Sequence, residues 1–181
     1  MPDPSNLQSE FKYFSAEVFT NVYDGVNQIK MPKSLMILGF SNDKDAAIPV
    51  RHDNYIFRRE VLRDLLAFLR KPNGDALFIT GPTGSGKTSV VNEVCARLNW
   101  PVQLLTLNNR FEFNQLTGHF TYSSQKEGGA PEMTFQYGPL AKAMKYGHVL
   151  VLNEIDLADA GELAGLNDVL EGRPLVLADN A

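Results

Sequence analysis

Gly81-Pro82-Thr83-Gly84-Ser85-Gly86-Lys87-Thr88 is the stretch on which the reading of this sequence turns. It fits the spacing G-x-x-x-x-G-K-[ST] in full. Glycines let backbone N–H groups curl around phosphate oxygens. A helix beginning at the end of such a loop adds unpaired N–H donors and the positive end of its dipole. Lys87 then offers a point charge to the β and γ phosphates of a nucleotide, and Thr88 offers a hydroxyl to Mg²⁺. Ser89 follows in the first turn of that helix. The flanks agree with this reading. Residues 76–80 read as a short buried strand, and Val90, Val91, Val94, Cys95 and Leu98 mark one face of a helix after the loop. ATP with Mg²⁺ is the expected ligand, and residues 81–89 are its expected cradle.

Working outward, helix and strand patterns alternate from Tyr55 onward. Phe57, Val61, Leu65, Phe68 and Leu69 make a helix face that stops before Pro72-Asn73-Gly74. Residues 102–107 and 148–152 read as further buried strands. Leu140, Ala141 and Met144 suggest a helix between them, and Leu163, Leu166, Val169 and Leu170 another after them. Such alternation implies an α/β fold with a parallel sheet covered on both faces. Residues 117–138 interrupt it. Thr121-Tyr122-Ser123-Ser124 and Met133-Thr134-Phe135-Gln136-Tyr137 are β-prone and flank Gly128-Gly129-Ala130-Pro131, a hairpin with a long tip. Residues 1–50 read as an N-terminal extension to a domain at 51–181. Phe11, Phe14, Val18, Val22, Val26 and Ile29 recur there at roughly helical spacing, with a strand over 18–23 as the alternative.

A second candidate site is expected at Val149-Leu150-Val151-Leu152-Asn153-Glu154. Four apolar strand residues followed by polar ones place those polar groups at a strand end. In hydrolysing nucleotide-binding proteins of this type, the first polar position holds the metal and the next, a glutamate, polarises the attacking water. Here the metal-side residue is Asn153, an uncharged amide expected to hold Mg²⁺ weakly, while Glu154 is the candidate base. Asp156 is close enough to be a displaced metal partner, though strand parity argues for a different orientation.

Bulk properties narrow the class. The hydrophobic fraction is 44 % and the net charge −4, with Lys and Arg scattered rather than patched. Arg51, Arg58, Arg59, Arg63, Arg70 and Lys71 read as a solvated helix face, so no nucleic-acid partner is expected. The single cysteine, Cys95, allows no internal disulfide and reads as a small buried hydrophobe. Met1-Pro2-Asp3-Pro4 lacks the character of a leader peptide, and no apolar run approaches a membrane span, so a soluble cytoplasmic protein is expected. His52, His119 and His148 show no ligand spacing and read as structural. Arg173, after Gly172, reads as a surface turn residue, with a trans-acting arginine as the alternative.

The loop at 81–88 and the strand end at 153–154 together resemble the AAA+ ATPases. Ala96-Arg97-Leu98-Asn99-Trp100-Pro101, Leu116-Thr117-Gly118 and Phe135-Gln136-Tyr137-Gly138-Pro139-Leu140 are similar to the MoxR/CobS side of that superfamily, as are Gly39-Phe40-Ser41 and Ile48-Pro49-Val50 to the CobS-type ATPase subunit of cobalt chelatase. The resemblance runs over roughly residues 39–180. It implies a P-loop NTPase fold with a three-layer parallel sheet and a hairpin insert. It also implies a ring-forming, usually hexameric, homo-oligomer and a protein partner of the von Willebrand A-domain kind. It places Tyr55, Ile56 and Phe57 near the adenine and turns the hairpin at 119–137 toward a pore or partner. A family member would continue past a run such as Pro174-Leu175-Val176-Leu177-Ala178 with a sensor strand, an arginine finger and a helical lid. The sequence is therefore expected to be a piece of a longer protein, truncated before the sensor strand.

Three functions follow as expectations. The first is an ATPase that couples ATP binding and hydrolysis to remodelling of a protein partner, as in metal-chelatase or MoxR-like chaperone action. The second is a nucleotide-gated assembly module that does not hydrolyse, motivated by Asn153. The third is a small-molecule P-loop kinase, disfavoured because neither a lid nor a clustered acceptor site is legible.

Overall fold

The computed structural model describes residues 11–70, 75–123 and 132–177. The chain divides into two compact units between Val102 and Gln103. Lys71, Pro72-Asn73-Gly74, the hairpin tip at Gly128-Gly129-Ala130-Pro131, Ala178 and the first ten residues lie outside the described residues.

Unit 1 is organised around two helices, α1 (Arg59–Arg70) and α2 (Lys87–Arg97), which pack on each other. The remaining elements are short strands: β1 (Phe11–Ser15), β2 (Val22–Tyr23), β3 (Gln28–Ile29), β4 (Met36–Phe40) and β5 (Phe57–Arg58). β1 pairs antiparallel with β4, and β2 lies between antiparallel β3 and parallel β5. The helical reading of residues 11–29 is therefore corrected. Phe11 and Phe14 belong to a strand, a turn at Ala16–Val18 follows, and Val22 starts another strand. Asp24 supplies the reason: its carboxylate accepts the N–H groups of Val26 and Asn27, and this tight turn reverses the chain where a helix would need to run on. One core holds these pieces together. Ala16, Phe19, Val22 and Ile37 are buried with Phe57, Leu62, Leu65, Leu66, Val90, Val94 and Leu98.

The end of α2 is stitched into this core. Asn99 takes a left-handed φ of 56°, and the N–H of Trp100 donates back to the Cys95 carbonyl at 2.9 Å, a helix stop that asparagine tolerates. The Leu98 carbonyl accepts the Phe40 N–H at 2.9 Å, and the indole N–H of Trp100 donates to the Leu38 carbonyl at 3.1 Å. Cys95 is buried as expected, and burial pushes its thiol pKa up to about 12. Residues 76–80 differ from expectation. None of the four sheets formed by the described residues includes them, and Phe78 is 73 % exposed. A strand is stabilised only by pairing on its edges, so an apolar run alone does not make one.

Unit 2 contains β6 (Val102–Thr106) from Gln103 onward, a short helix α3 (Asn114–Thr117), the hairpin strands β7 (Gly118–Ser123) and β8 (Glu132–Tyr137), α4 (Pro139–Tyr146) and β9 (Val149–Asn153). The hairpin is as expected, with Phe120 opposite Phe135 and Tyr122 opposite Met133. α4 starts on Pro139 and ends at Gly147, whose φ of 71° allows the His148 N–H to reach the Ala143 carbonyl. β6 pairs with β9. The Leu107 N–H donates to the Asn153 carbonyl at one end, and the Gln103 side chain meets the His148 ring at the other, so the two strands run in the same direction. Both are only half-buried, where buried strands were expected. The helix expected after β9 is broken into α5 (Ala160–Leu163), a 3₁₀ turn (Ala164–Leu166) and α6 (Asn167–Leu170). Gly161 and Gly165 weaken helix continuity, and the Phe113 ring packs where a Cβ on Gly165 would stand, 2.7 Å away. Pro174-Leu175-Val176-Leu177 forms no strand among the described residues. No helix among them is long and apolar enough to cross a membrane.

Gly39 offers a direct check on how α2 is anchored. A Cβ there would lie 2.2 Å from the Leu98 carbonyl oxygen and 2.7 Å from the Phe14 ring. Gly39→Ala is expected to force β4 off the helix end and to cost about 1–3 kcal/mol in a urea unfolding titration.

Candidate functional site

The loop at 81–86 turns into α2 through glycines whose backbone no other residue adopts cheaply. Gly84 has φ 77° and Gly86, at the N-cap of α2, has φ 83°. A Cβ on either would meet nothing within 4 Å, so conformation rather than space requires glycine here. The Ser85 N–H donates to the Pro82 carbonyl, which closes the turn, and the Val90 N–H donates to the Gly86 carbonyl, which opens the helix. The Lys87 ammonium lies over the loop, donating to the carbonyls of Gly81 at 2.9 Å and Pro82 at 3.0 Å. Pro82, Thr83, Gly84 and Ser85 are exposed, while Gly86, Lys87 and Thr88 are half-buried. The first turn of α2 has no acidic residue. A solvent-facing loop, a helix start and a cation are thus gathered at one place, the physical requirements of a polyphosphate site. Thr88 stands in that first turn, next to Lys87.

The turn at 52–57 is fastened to the far half of the same helix. Glu93 and Arg97, one helical turn apart, are each only 3 % exposed. They form an ion pair with each other, and both reach His52. Glu93 accepts the His52 backbone N–H at 3.2 Å and meets the His52 ring Nδ1 at 2.5 Å. Arg97 donates to the His52 carbonyl at 2.9 Å and lies 4.7 Å over the Phe57 ring. Asn21 holds the same turn from the other side, donating to the Asp53 carbonyl and accepting the Phe57 N–H. Tyr55 is half-buried, edge-on to Phe57 at 4.8 Å, and Ile56 is 61 % exposed. Sequence reasoning missed Glu93 and Arg97. Their i, i+4 spacing was the available signal, and it reads as a surface pair until burial is known.

In unit 2, β9 delivers Asn153 and Glu154. The Asn153 carbonyl is bonded to Leu107, which fixes the strand end. Glu154 is exposed and carries φ 54° and ψ 43°, a left-handed conformation for a non-glycine residue. Its carbonyl accepts the Leu157 N–H in a 3₁₀ turn (Ile155–Leu157). Holding a glutamate there costs on the order of 1 kcal/mol, and strain of this kind concentrates at functional positions. Asp156 is exposed within that turn, and Asp159 caps α5 by accepting the Gly161 N–H at 2.7 Å. Arg173 is exposed and pairs with Asp168 and Glu171, as a surface turn residue does. His148 meets Gln103, and no metal-holding cluster of His, Cys, Asp and Glu occurs among the described residues. The loop and the strand end belong to different units, and each is described within its own.

Glu93 makes unit 1 sensitive to acid. Burial opposes its charge, but hydrogen bonds from Arg97 and from the His52 ring and N–H outweigh burial and hold its pKa below the ordinary glutamate value. A lowered folded pKa contributes stability that is present above the unfolded value, about 4.3, and is lost as pH falls through the folded one. The native chain is expected to lose stability more steeply below that pH than Glu93→Gln, as read from thermal midpoints between pH 6 and 3.

Residues 76–181 match the family described as AAA domain (dynein-related subfamily). The chain is 36 % identical over 120 residues to an uncharacterized protein of Staphylococcus saprophyticus, covering 66 % of this chain and 45 % of that protein. It is 35 % identical over 97 residues to an uncharacterized protein of Staphylococcus haemolyticus, covering 54 % of this chain and 36 % of the relative. A protein of Staphylococcus epidermidis is 36 % identical over the same length. The chain thus spans less than half the length of these relatives. The family match takes in the glycine loop, α2, the hairpin and β9, and covers more than half of the 181 residues. On that match, the chain belongs to the AAA domain family, in its dynein-related subfamily.

Proposed function

We propose that residues 81–89 bind ATP with Mg²⁺, and that the intact protein hydrolyses ATP to remodel a protein partner. The observation that carries this reading is the junction of loop and helix, where positively twisted glycines, the start of α2 and the Lys87 ammonium meet. In this reading the N–H groups of the loop and of the first turn of α2 take the phosphate oxygens. Lys87 exchanges its loop carbonyls for the β and γ phosphates, where it offsets charge that grows as the terminal phosphoryl leaves. Thr88 takes the metal through its hydroxyl, and Asn153 accepts from metal-bound water. Mg²⁺, when bound, neutralises phosphate charge. Glu154 orients the attacking water, a role that agrees with its strained backbone and its exposed carboxylate. Tyr55 and Ile56 meet the adenine, the exposed Ile56 side chain offering an apolar surface for the base.

The finer assignment rests on resemblance. The hairpin β7–β8 followed directly by Gly138-Pro139-Leu140 agrees with a MoxR/CobS-like protein, with an NTPase sheet of three layers. That assignment extends to a homo-oligomeric, hexameric ring, to a partner carrying a von Willebrand A domain, and to work on a metal chelatase or as a chaperone in the cytoplasm. Residues 51–181 form the ATPase region and 1–50 an extension to it.

Asn153 favours a second reading, a nucleotide-gated assembly module without turnover, because an amide lacks the charge with which a carboxylate holds the metal.

Two variants separate these readings. Lys87→Ala is expected to weaken ATP·Mg²⁺ binding by at least about tenfold in calorimetry, a loss of about 1.4 kcal/mol. Glu154→Gln is expected to keep binding and to lose phosphate release at least about a hundredfold in the full-length protein. Unchanged turnover in Glu154→Gln removes that residue from the mechanism, and no turnover in the native full-length protein favours the assembly module.

A further inference from the structure

Three polar groups of His52, its backbone N–H, its carbonyl and its ring Nδ1, are held by α2. Its N–H and its ring meet the Glu93 carboxylate, and its carbonyl takes the Arg97 guanidinium. The same carbonyl accepts the Tyr55 N–H at 3.1 Å, so the turn from His52 to Tyr55 is closed on itself while it is tied to the helix. Phe57, completely buried beneath Arg97, fixes the other end of the segment. Stability alone is a weak reason for this arrangement. A buried ion pair loses its hydration, and apolar residues of similar volume in its place are often neutral or stabilising. Arg97 Nε has no hydrogen-bond partner among the described residues, a further cost. What the pair provides is position. It sets the turn at a fixed offset along the helix whose other end carries Lys87, six residues or about 9 Å before Glu93.

We infer that Glu93, Arg97 and His52 are positioning residues that hold Tyr55 and Ile56 in register with the phosphate loop, so that nucleoside and triphosphate are bound as one unit. The inference rests on the proposed reading of residues 81–89 and of Tyr55 and Ile56. Its energetic logic is a population argument. If the turn is released and takes its bound position only a tenth of the time, the apparent affinity for a ligand that needs it falls about tenfold. A ligand that touches only the loop is unaffected.

The test compares ATP with inorganic tripolyphosphate, each with Mg²⁺, by calorimetry on the full chain. The principal variant is Glu93→Leu with Arg97→Met, which keeps α2 packed, removes both charges and gives Phe57 a thioether to rest on. His52→Ala, at a ring that is largely exposed, is the milder variant. Thermal unfolding checks that each remains folded. The expected result is an ATP affinity about tenfold weaker in the double variant, a smaller loss in His52→Ala, and tripolyphosphate affinity unchanged in both. Equal losses for the two ligands would overturn the inference, because the helix itself would then be the damaged part. Unchanged ATP affinity would overturn it as well. Native protein that binds tripolyphosphate as tightly as ATP would remove the contact of Tyr55 and Ile56 with the base, and this inference with it. Native protein that binds neither would overturn the phosphate-loop reading itself.

Discussion

Helix Lys87–Arg97 is buried through its second half, and unit 1 depends on satisfying the two charges that this burial traps. Val90, Val94, Cys95 and Ala96 can be covered by any apolar neighbour. Glu93 and Arg97 cannot, because a buried charge without a partner costs several kcal/mol. Their partners come from the turn at His52, and the rest of the unit closes around that requirement. Asn21 grips the turn from the side of β2, Phe57 seals the underside of Arg97, and β4 binds the helix end through Phe40, Leu38 and Trp100. The residues before the glycine loop are thereby built into the same core as the helix that follows it.

The parts of the fold that the sequence made legible are those decided by local chemistry. α1 and α2 follow from apolar spacing, although α1 buries Leu62, Leu65 and Leu66 where the spacing marks Val61, Leu65 and Phe68 as its face, and Phe57 stands in β5. α4 follows from Leu140, Ala141 and Met144, and the hairpin from two β-prone runs around a glycine-rich tip. What stayed hidden was decided by partners distant in the chain. Phe11 to Ile29 has helical spacing, yet the Asp24 turn and pairing with β4 and β5 make it a set of strands. The run at 76–80 is apolar enough for a strand, but composition cannot supply a neighbour. Gly165 reads as a helix weakness, and only the Phe113 ring above it explains why a glycine stands there.

The site divides in the same way. Gly81 to Thr88 was legible because a backbone path that only glycine takes easily leaves a fixed mark in the sequence. Glu154 was legible by its place after four apolar residues, whereas its left-handed backbone was not. The His52–Glu93–Arg97 connection was invisible, since two of its members look like an exposed helix pair and the third like a solitary histidine. What this network fixes is the place of the turn at 52–57 along α2.

The central claim is that a polyphosphate sits on the amides of the glycine loop and of the first turn of α2. Amide hydrogen exchange on the full chain, with and without saturating ATP·Mg²⁺, reads those groups directly. Slowed exchange across residues 83–89 on adding nucleotide is the predicted result. Exchange there that is the same with and without nucleotide would contradict the claim.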